Sequence, residues 1–247
     1  TLLGMTSERY EFRTEQHIQH LLLEQSGCDG HLIDFEKNLP QSGLLKMPPS
    51  QYPDMESGDA SDHVIADKCE ELGVDLILSG EGGDILLGSA VPEDPVLIDW
   101  KLQILAQNTL TDLVYAPRGV RLESFYRDEG IADAIYSLRR GQSEDNGKVW
   151  ARNFFRDFIP SELADYAYCA DFWGLYIDGL HAAMPTIREL HEAALEITKL
   201  PYFQRDNLEE MLSQDLLHCD QRFYQRLESR ITLAAWIYSV HNAINQA

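Results

Sequence analysis

Cysteine is scarce and scattered in this chain. Cys28, Cys69, Cys169 and Cys219 stand far apart and form no Cys-x-x-Cys pair. That argues against a disulfide framework and against a zinc site of adjacent ligands, and buried free thiols in a reducing compartment are expected instead. Histidine offers little more to a metal. The eight histidines include no H-E-x-x-H spacing, and His17 and His20, three apart on an expected helix, have no third ligand in view. Positive charge is also short: 20 Lys and Arg face 41 Asp and Glu, for a net charge of −21. A protein that tracks nucleic-acid phosphates needs clustered basic residues, so no nucleic-acid partner is expected. A solvated acidic surface is the plain reading of the excess, and a basic partner is the other. No apolar run approaches the roughly 20 residues needed to span a bilayer. The opening Thr1-Leu2-Leu3-Gly4-Met5 has no basic lead of a signal peptide. No membrane partner is expected, and the cytoplasm is the expected compartment. Internal repeats and low-complexity segments are missing too.

What remains is the composition of an ordinary globule. Its 247 residues are 44% hydrophobic and 25% charged, enough to bury a core in one large α/β domain or two smaller ones. Residues 1–95 alternate strand with helix. Thr1–Met5 reads as the tail of a strand, and Ser7–Gln25 carries a helical pattern through Ile18, Leu21 and Leu22, with Tyr10 or Phe12 one turn back. A Cys28-Asp29-Gly30 turn introduces a strand over Gly30–Asp34. Gly43–Asp59, rich in Pro, Ser and Gly, predicts a loop passing the strand ends. A helix from Asp62 should stop at Gly73 and feed a short, fully buried strand at Leu76–Leu78. Such alternation predicts an α/β fold with a doubly wound parallel sheet. From about Trp100 onward the chain is expected to be almost all helical, broken at Pro117, Gly141, Pro160, Pro185 and Pro201. Leu208, Met211, Leu212 and Leu216, then Phe223, Leu227, Ile231, Leu233, Ala234 and Ile237, fall at helical spacing as core stripes. The expected division is 1–98, part of the nucleotide-binding sheet region, and 99–247, a mostly helical part packed on it.

The most informative stretch follows the Leu76–Leu78 strand. Ser79-Gly80-Glu81-Gly82-Gly83-Asp84 combines small residues, whose backbone N–H groups can approach a phosphate or nucleobase, with two acids. Open α/β sheets bind ligands at this carboxyl end of their strands. Asp84 is placed to hold Mg²⁺. In most proteins a glycine-rich turn after a strand is only a tight connection, and the two acids are what lift this one above that.

Together with the preceding helix and strand, the run Ser79-Gly80-Glu81-Gly82-Gly83-Asp84-Ile85-Leu86-Leu87-Gly88 resembles the S-G-x-G-x-D-E-x-x-G nucleotide motif of the asparagine synthetase superfamily, the AMP-forming amide ligases. Val120–Asp128 is similar to that family's segment ending in P-F-L-D, with Phe125 in place of the proline. Gly147-Lys148-Val149-Trp150-Ala151-Arg152, followed by Phe158-Ile159-Pro160, resembles its G-K-x-x-x-R … L-P run. The three segments agree with the family in order and spacing and cover most of residues 1–175. The resemblance implies an adenine nucleotide alpha hydrolase-like sheet, ATP and Mg²⁺ as cofactors, and a carboxylate substrate such as a precursor peptide. It implies that Ser79, Gly80, Gly82 and Gly83 shape an adenylate pocket, that Asp84 is a metal ligand, and that Glu81 assists amine deprotonation.

Two departures qualify the match. The family's first motif, S-G-G-x-D-S, occurs nowhere in the 247 residues. The expectation is therefore that this is the C-terminal piece of a longer protein, with an N-terminal segment or a second chain supplying the missing motif. The family also carries R-x-x-K-x-x-F after its L-P element, whereas this chain has Tyr166 at the Arg position and Cys169 at the Lys position. A neutral thiol cannot stabilise a polyanionic transition state as an ammonium does. Either another base, Lys148 or Arg152, substitutes, or ordinary catalysis is lost. The helical tail after Phe172 is similar to that of lasso-peptide macrolactam cyclases and lacks the F-S-D-G run of asparagine synthetases. Three readings follow: a macrolactam cyclase, an asparagine synthetase, or a catalytically degenerate binding or assembly subunit.

Overall fold

The computed structural model describes residues 1–7, 13–51, 53, 60–83, 86–87, 108–139, 149–165, 173–214, 216, 219 and 221–246. The chain divides into two compact units, Thr1–Lys68 with Ala170–Ala247, and Cys69–Cys169. It is a mixed α/β protein of short parallel strand pairs and mostly helical content.

The first unit opens with β1 (Leu2–Thr6), α1 (Arg13–Ser26) and β2 (Gly30–Asp34). β1 and β2 pair in parallel, Leu2 opposite Gly30 through Thr6 opposite Asp34. The intervening helix is the crossover that a parallel pair needs. Gln19 of α1 donates to the Met5 carbonyl at 2.7 Å, tying the helix to the strand it follows. The expected loop from Gly43 departs from expectation at its start: Pro40–Lys46 is a 3₁₀ helix with proline in its first turn, and it buries Leu44. α2 (Ala60–Leu72) then carries the chain into the second unit.

The core of the first unit is helical. α6 (Trp173–Thr198), α7 (Arg205–Leu212) and α8 (Gln221–Gln246) bury Leu180, Ile187, Leu190, Leu208, Leu227 and Ala234 together. Burying a Leu or Ile side chain contributes about 1.5–3 kcal/mol. That scale explains a departure at Pro185, where a break was expected and α6 continues unbroken. A proline inside a helix costs about 3 kcal/mol through its missing N–H and its clash with the preceding turn. Ile187, Leu190 and Ala194 beyond it are at most 2% exposed, and together they outweigh that cost. α8 also holds the segment after the 3₁₀ helix: Trp236 Nε1 donates to the Ser50 carbonyl at 2.9 Å, and Ser239 Oγ to the Met47 carbonyl at 2.7 Å.

The second unit contains β3 (Leu76–Ser79), β4 (Arg121–Ser124), α3 (Glu129–Arg139), α4 (Val149–Phe154) and α5 (Ser161–Ala164). β3 and β4 are parallel, Leu76 opposite Arg121 through Ser79 opposite Ser124. β4 lies within the stretch expected to be almost all helical. Its residues alternate, with Leu122 and Ser124 buried and Arg121 and Glu123 exposed, which is the period of a strand and not of a helix. β3 is not the fully buried strand expected of it, since Leu78 is 72% exposed. Burial on both faces requires covering layers and neighbours on both sides, and among the described residues β3 pairs with β4 alone.

The cysteines also depart from expectation in part. Cys69 is buried and free, but Cys28 is exposed and Cys219 half-buried; Cys169 lies outside the described residues. Burial pushes the Cys69 thiol up, which keeps it unreactive. Among the described residues no helix is long and apolar enough to cross a membrane.

Candidate functional site

α2 ends where the sequence stops it. Gly73 adopts φ +66°, and Val74 N–H closes the helix on the Cys69 carbonyl at 2.9 Å. Two residues later β3 begins, and it delivers Ser79–Gly83 to the carboxyl end of the parallel pair. The loop is fixed from β4. Ser124 Oγ donates to the Glu81 carbonyl at 2.7 Å and accepts from Tyr126 N–H at 3.2 Å. Since Ser124 stands opposite Ser79 in the register, the second strand positions the tip of the first strand's loop.

Within the loop, Gly82 takes φ +83°, a left-handed conformation that favours glycine. Gly83 is packed so tightly that a Cβ there would sit 2.8 Å from the Tyr126 ring. That ring belongs to a small cluster with Leu86, Ala132 and Ile135, the last two from α3. Gly80 is different. Its φ is not in the left-handed region, and a Cβ would meet no described atom within 4 Å. Neither backbone nor packing among the described residues asks for glycine at position 80. The Glu81 side chain is exposed.

The expected row of free backbone N–H groups is partly spent on the loop itself. Glu81 N–H donates to Ser79 Oγ at 3.0 Å, and Gly83 N–H to the Gly80 carbonyl at 3.0 Å. A short loop turning this sharply must satisfy its own backbone, and the Ser79 hydroxyl does so locally. Of the expected site residues, the structure thus brings Ser79, Gly80, Glu81, Gly82 and Gly83 into one loop. Asp84 and Lys148 lie outside the described residues, as do Tyr166 and Cys169. Arg152, the alternative base, is half-buried in α4 beside Trp150, whose indole N–H donates to the Leu87 carbonyl at 3.0 Å. No group of three or more His, Cys, Asp or Glu among the described residues is placed to hold a metal.

Sequence reasoning missed the buried polar groups of the first unit. His191 is 1% exposed on α6, its ring edge-on to Phe203 with centroids 5.4 Å apart, and neither ring nitrogen has a hydrogen-bond partner. Burial, and secondarily the charge of Arg230, push its pKa down to about 4. Arg230 of α8 is 8% exposed, with its guanidinium carbon 4.1 Å from the Tyr202 ring centroid. Nearby on the same helix, burial raises the Glu228 carboxyl, opposed by a hydrogen bond from Tyr176. The Tyr176 hydroxyl is itself raised by burial and then by Glu228. The signal was available: Arg230 sits three residues after Leu227 and four before Ala234, within the apolar stripe of α8.

No protein-family model matches this chain, and no curated protein or solved structure compared with it gives a match.

Proposed function

We propose that the Ser79–Asp84 loop is one half of the nucleotide site of an ATP-dependent, AMP-forming amide-bond synthetase, most akin to a lasso-peptide macrolactam cyclase, built on a doubly wound parallel sheet. The observation that supports this best is Gly80: a glycine that the described fold does not require, at the carboxyl end of a parallel strand pair, next to an exposed glutamate. A position kept bare for no packing reason suits the close approach of a nucleotide.

The reaction has two steps. A carboxylate oxygen attacks the α-phosphorus of ATP, the bond to the β-phosphate breaks, and pyrophosphate leaves. An amine nitrogen then attacks the activated acyl carbon, AMP departs with the acyl oxygen, and the amine proton passes to Glu81. Positioning and charge stabilisation carry most of such chemistry. Asp84 would hold Mg²⁺, which would supply positive charge around a polyphosphate in a chain of net charge −21. Lys148 takes the place of the family's lysine. An N-terminal segment or a second chain carrying the first nucleotide motif would complete the triphosphate pocket.

The test is calorimetry of Mg·ATP with the protein joined to that segment, followed by ATP–pyrophosphate exchange with acidic peptides as carboxylate donors. Exchange is expected in the wild type and retained in Glu81→Gln, while amide formation in that variant falls ~100-fold, the scale of a general base. Gly80→Ala should fold as well as wild type yet lose nucleotide affinity. No ATP binding by the wild type overturns the reading. Binding without exchange favours the degenerate subunit, the reading supported by Tyr166 and Cys169 in place of Arg and Lys.

A further inference from the structure

Independently of the nucleotide loop, the first unit holds a cavity of about 830 Å³, a size typical of small-ligand sites. It opens between one face of α7, the turn that follows it, and one face of α8. Glu210, Met211 and Gln214 line it from the first side and Phe223, Arg226 and Arg230 from the second. Phe223, Arg226 and Arg230 stand at i, i+3 and i+7 of α8, so a single helix face presents them. Pro201, Tyr202 and Asn207 complete the lining.

Arg230 is the anomalous group. It is 8% exposed, its Nη1 is enclosed without a hydrogen-bond partner, and among the described residues no carboxylate pairs with it. Its guanidinium carbon lies 4.1 Å from the centroid of the Tyr202 ring. A buried guanidinium is costly unless an anion pairs with it, and a cation–π contact offsets only part of that cost. Two other arginines of this unit do have acidic partners: Arg188 holds Glu209 through two bonds of 2.7 and 2.9 Å, and Arg205 reaches Glu192 at 3.3 Å. In a chain with 41 acidic residues, an arginine buried with no acidic partner among the described residues invites an anion from outside.

We propose that this cavity binds a monocarboxylate carried on an apolar or aromatic body, with the carboxylate on Arg230. The charge of the wall selects the anion. Arg226 and Arg230 against Glu210 leave one net positive charge among the described lining residues, which one carboxylate neutralises and a phosphate dianion overshoots. The planar guanidinium matches a carboxylate in fork geometry. Met211, Phe223 and Tyr202 supply apolar surface for the body of the ligand.

The test uses three probes of one shape class with the full chain: N-acetylphenylalanine, its uncharged amide, and phenyl phosphate, each titrated by calorimetry. The acid is expected to bind saturably in the millimolar range or tighter, and the amide and the phosphate about 10- to 100-fold more weakly, the worth of a charge-assisted hydrogen bond. A tripeptide ending in Phe distinguishes a peptide terminus, if it binds more tightly than the acid, from a small molecule, if it does not; either outcome supports the site. Arg230→Met should abolish the preference for acid over amide, and Arg230→Lys should retain part of it. The free Arg230→Met protein should melt no lower than wild type, because an unpaired buried charge has been removed. Equal affinity for acid and amide, tighter binding of the phosphate, no saturable binding of the acid, or an unchanged preference in a folded Arg230→Met or Arg230→Lys protein would overturn the proposal.

Discussion

Lowering the pH from 7 to 5 should cost this protein about 2 kcal/mol through His191 alone. The imidazole is 1% exposed, bonded through neither nitrogen, and faced by one recorded charge, that of Arg230. Its pKa is pushed down to about 4 from an ordinary 6.5. The sign follows from proton binding. In the window between the two values the unfolded chain holds a proton on this ring and the folded protein does not, so stability rises with pH there. The contribution is complete above about pH 6.5 and is lost as pH falls toward 4, at about 1.4 kcal/mol per pH unit. The drop from pH 7 to pH 5 is thus about 2 kcal/mol, within a full loss on the order of 3 kcal/mol. Other groups titrate in this range, so the comparison must be with His191→Leu, an apolar residue of similar volume. Urea unfolding of both proteins at the two pH values gives a difference of differences that isolates the ring. His191→Leu should also be no less stable than wild type at pH 7, since a buried imidazole without partners is itself a cost of about 1–3 kcal/mol. Parallel pH dependences in the two proteins, within about 0.5 kcal/mol, would refute the buried-neutral account.

Two further substitutions probe the frame that carries the sites. Ser124→Ala removes the bond to the Glu81 carbonyl and the acceptor for Tyr126 N–H; it should cost about 1–3 kcal/mol and speed amide hydrogen exchange at Glu81–Gly83 more than elsewhere in the second unit. Leu227→Ala empties a fully buried position in the core of the first unit, and urea titration should show a loss of about 2–5 kcal/mol.

Local rules were legible where one residue decides the outcome. Gly73 ends α2 at the expected place because a left-handed residue can close the last turn, and the β1–α1–β2 alternation does give parallel pairing. Legibility failed where the outcome depends on what lies alongside. Leu76 and Leu78 share their apolar character with any core strand, yet they stay exposed beside the single strand that pairs with them among the described residues. Pro185 reads as a stop until the burial of both flanking turns is weighed against it. Val120–Ser124 alternates buried and exposed with period two, a strand signal too short to stand out within a stretch that reads as helical. At the candidate site, the glycines and Glu81 announced the loop, but the role of Ser124 in fixing it depends on a pairing 43 residues away. Arg230 and His191 escape sequence reasoning, because what marks them is burial without a hydrogen-bond partner among the described residues.

The discontinuity of the first unit bears on how the chain is made. Ser239 reaches back to the Met47 carbonyl across 192 residues, and Trp236 to Ser50 across 186. At about 5–20 residues per second of synthesis, the segment at 47–50 waits roughly 10–40 s on the ribosome for the helix that clamps it. Residues 69–169 emerge during that interval, so the β3–β4 pair and its glycine loop have time to assemble while the earlier half of the first unit is still without its closing helices. Slow codons or a stalled ribosome between α6 and α8 would prolong the exposure of Leu44 and Met47, making that stretch of translation the period in which chaperones have most to protect.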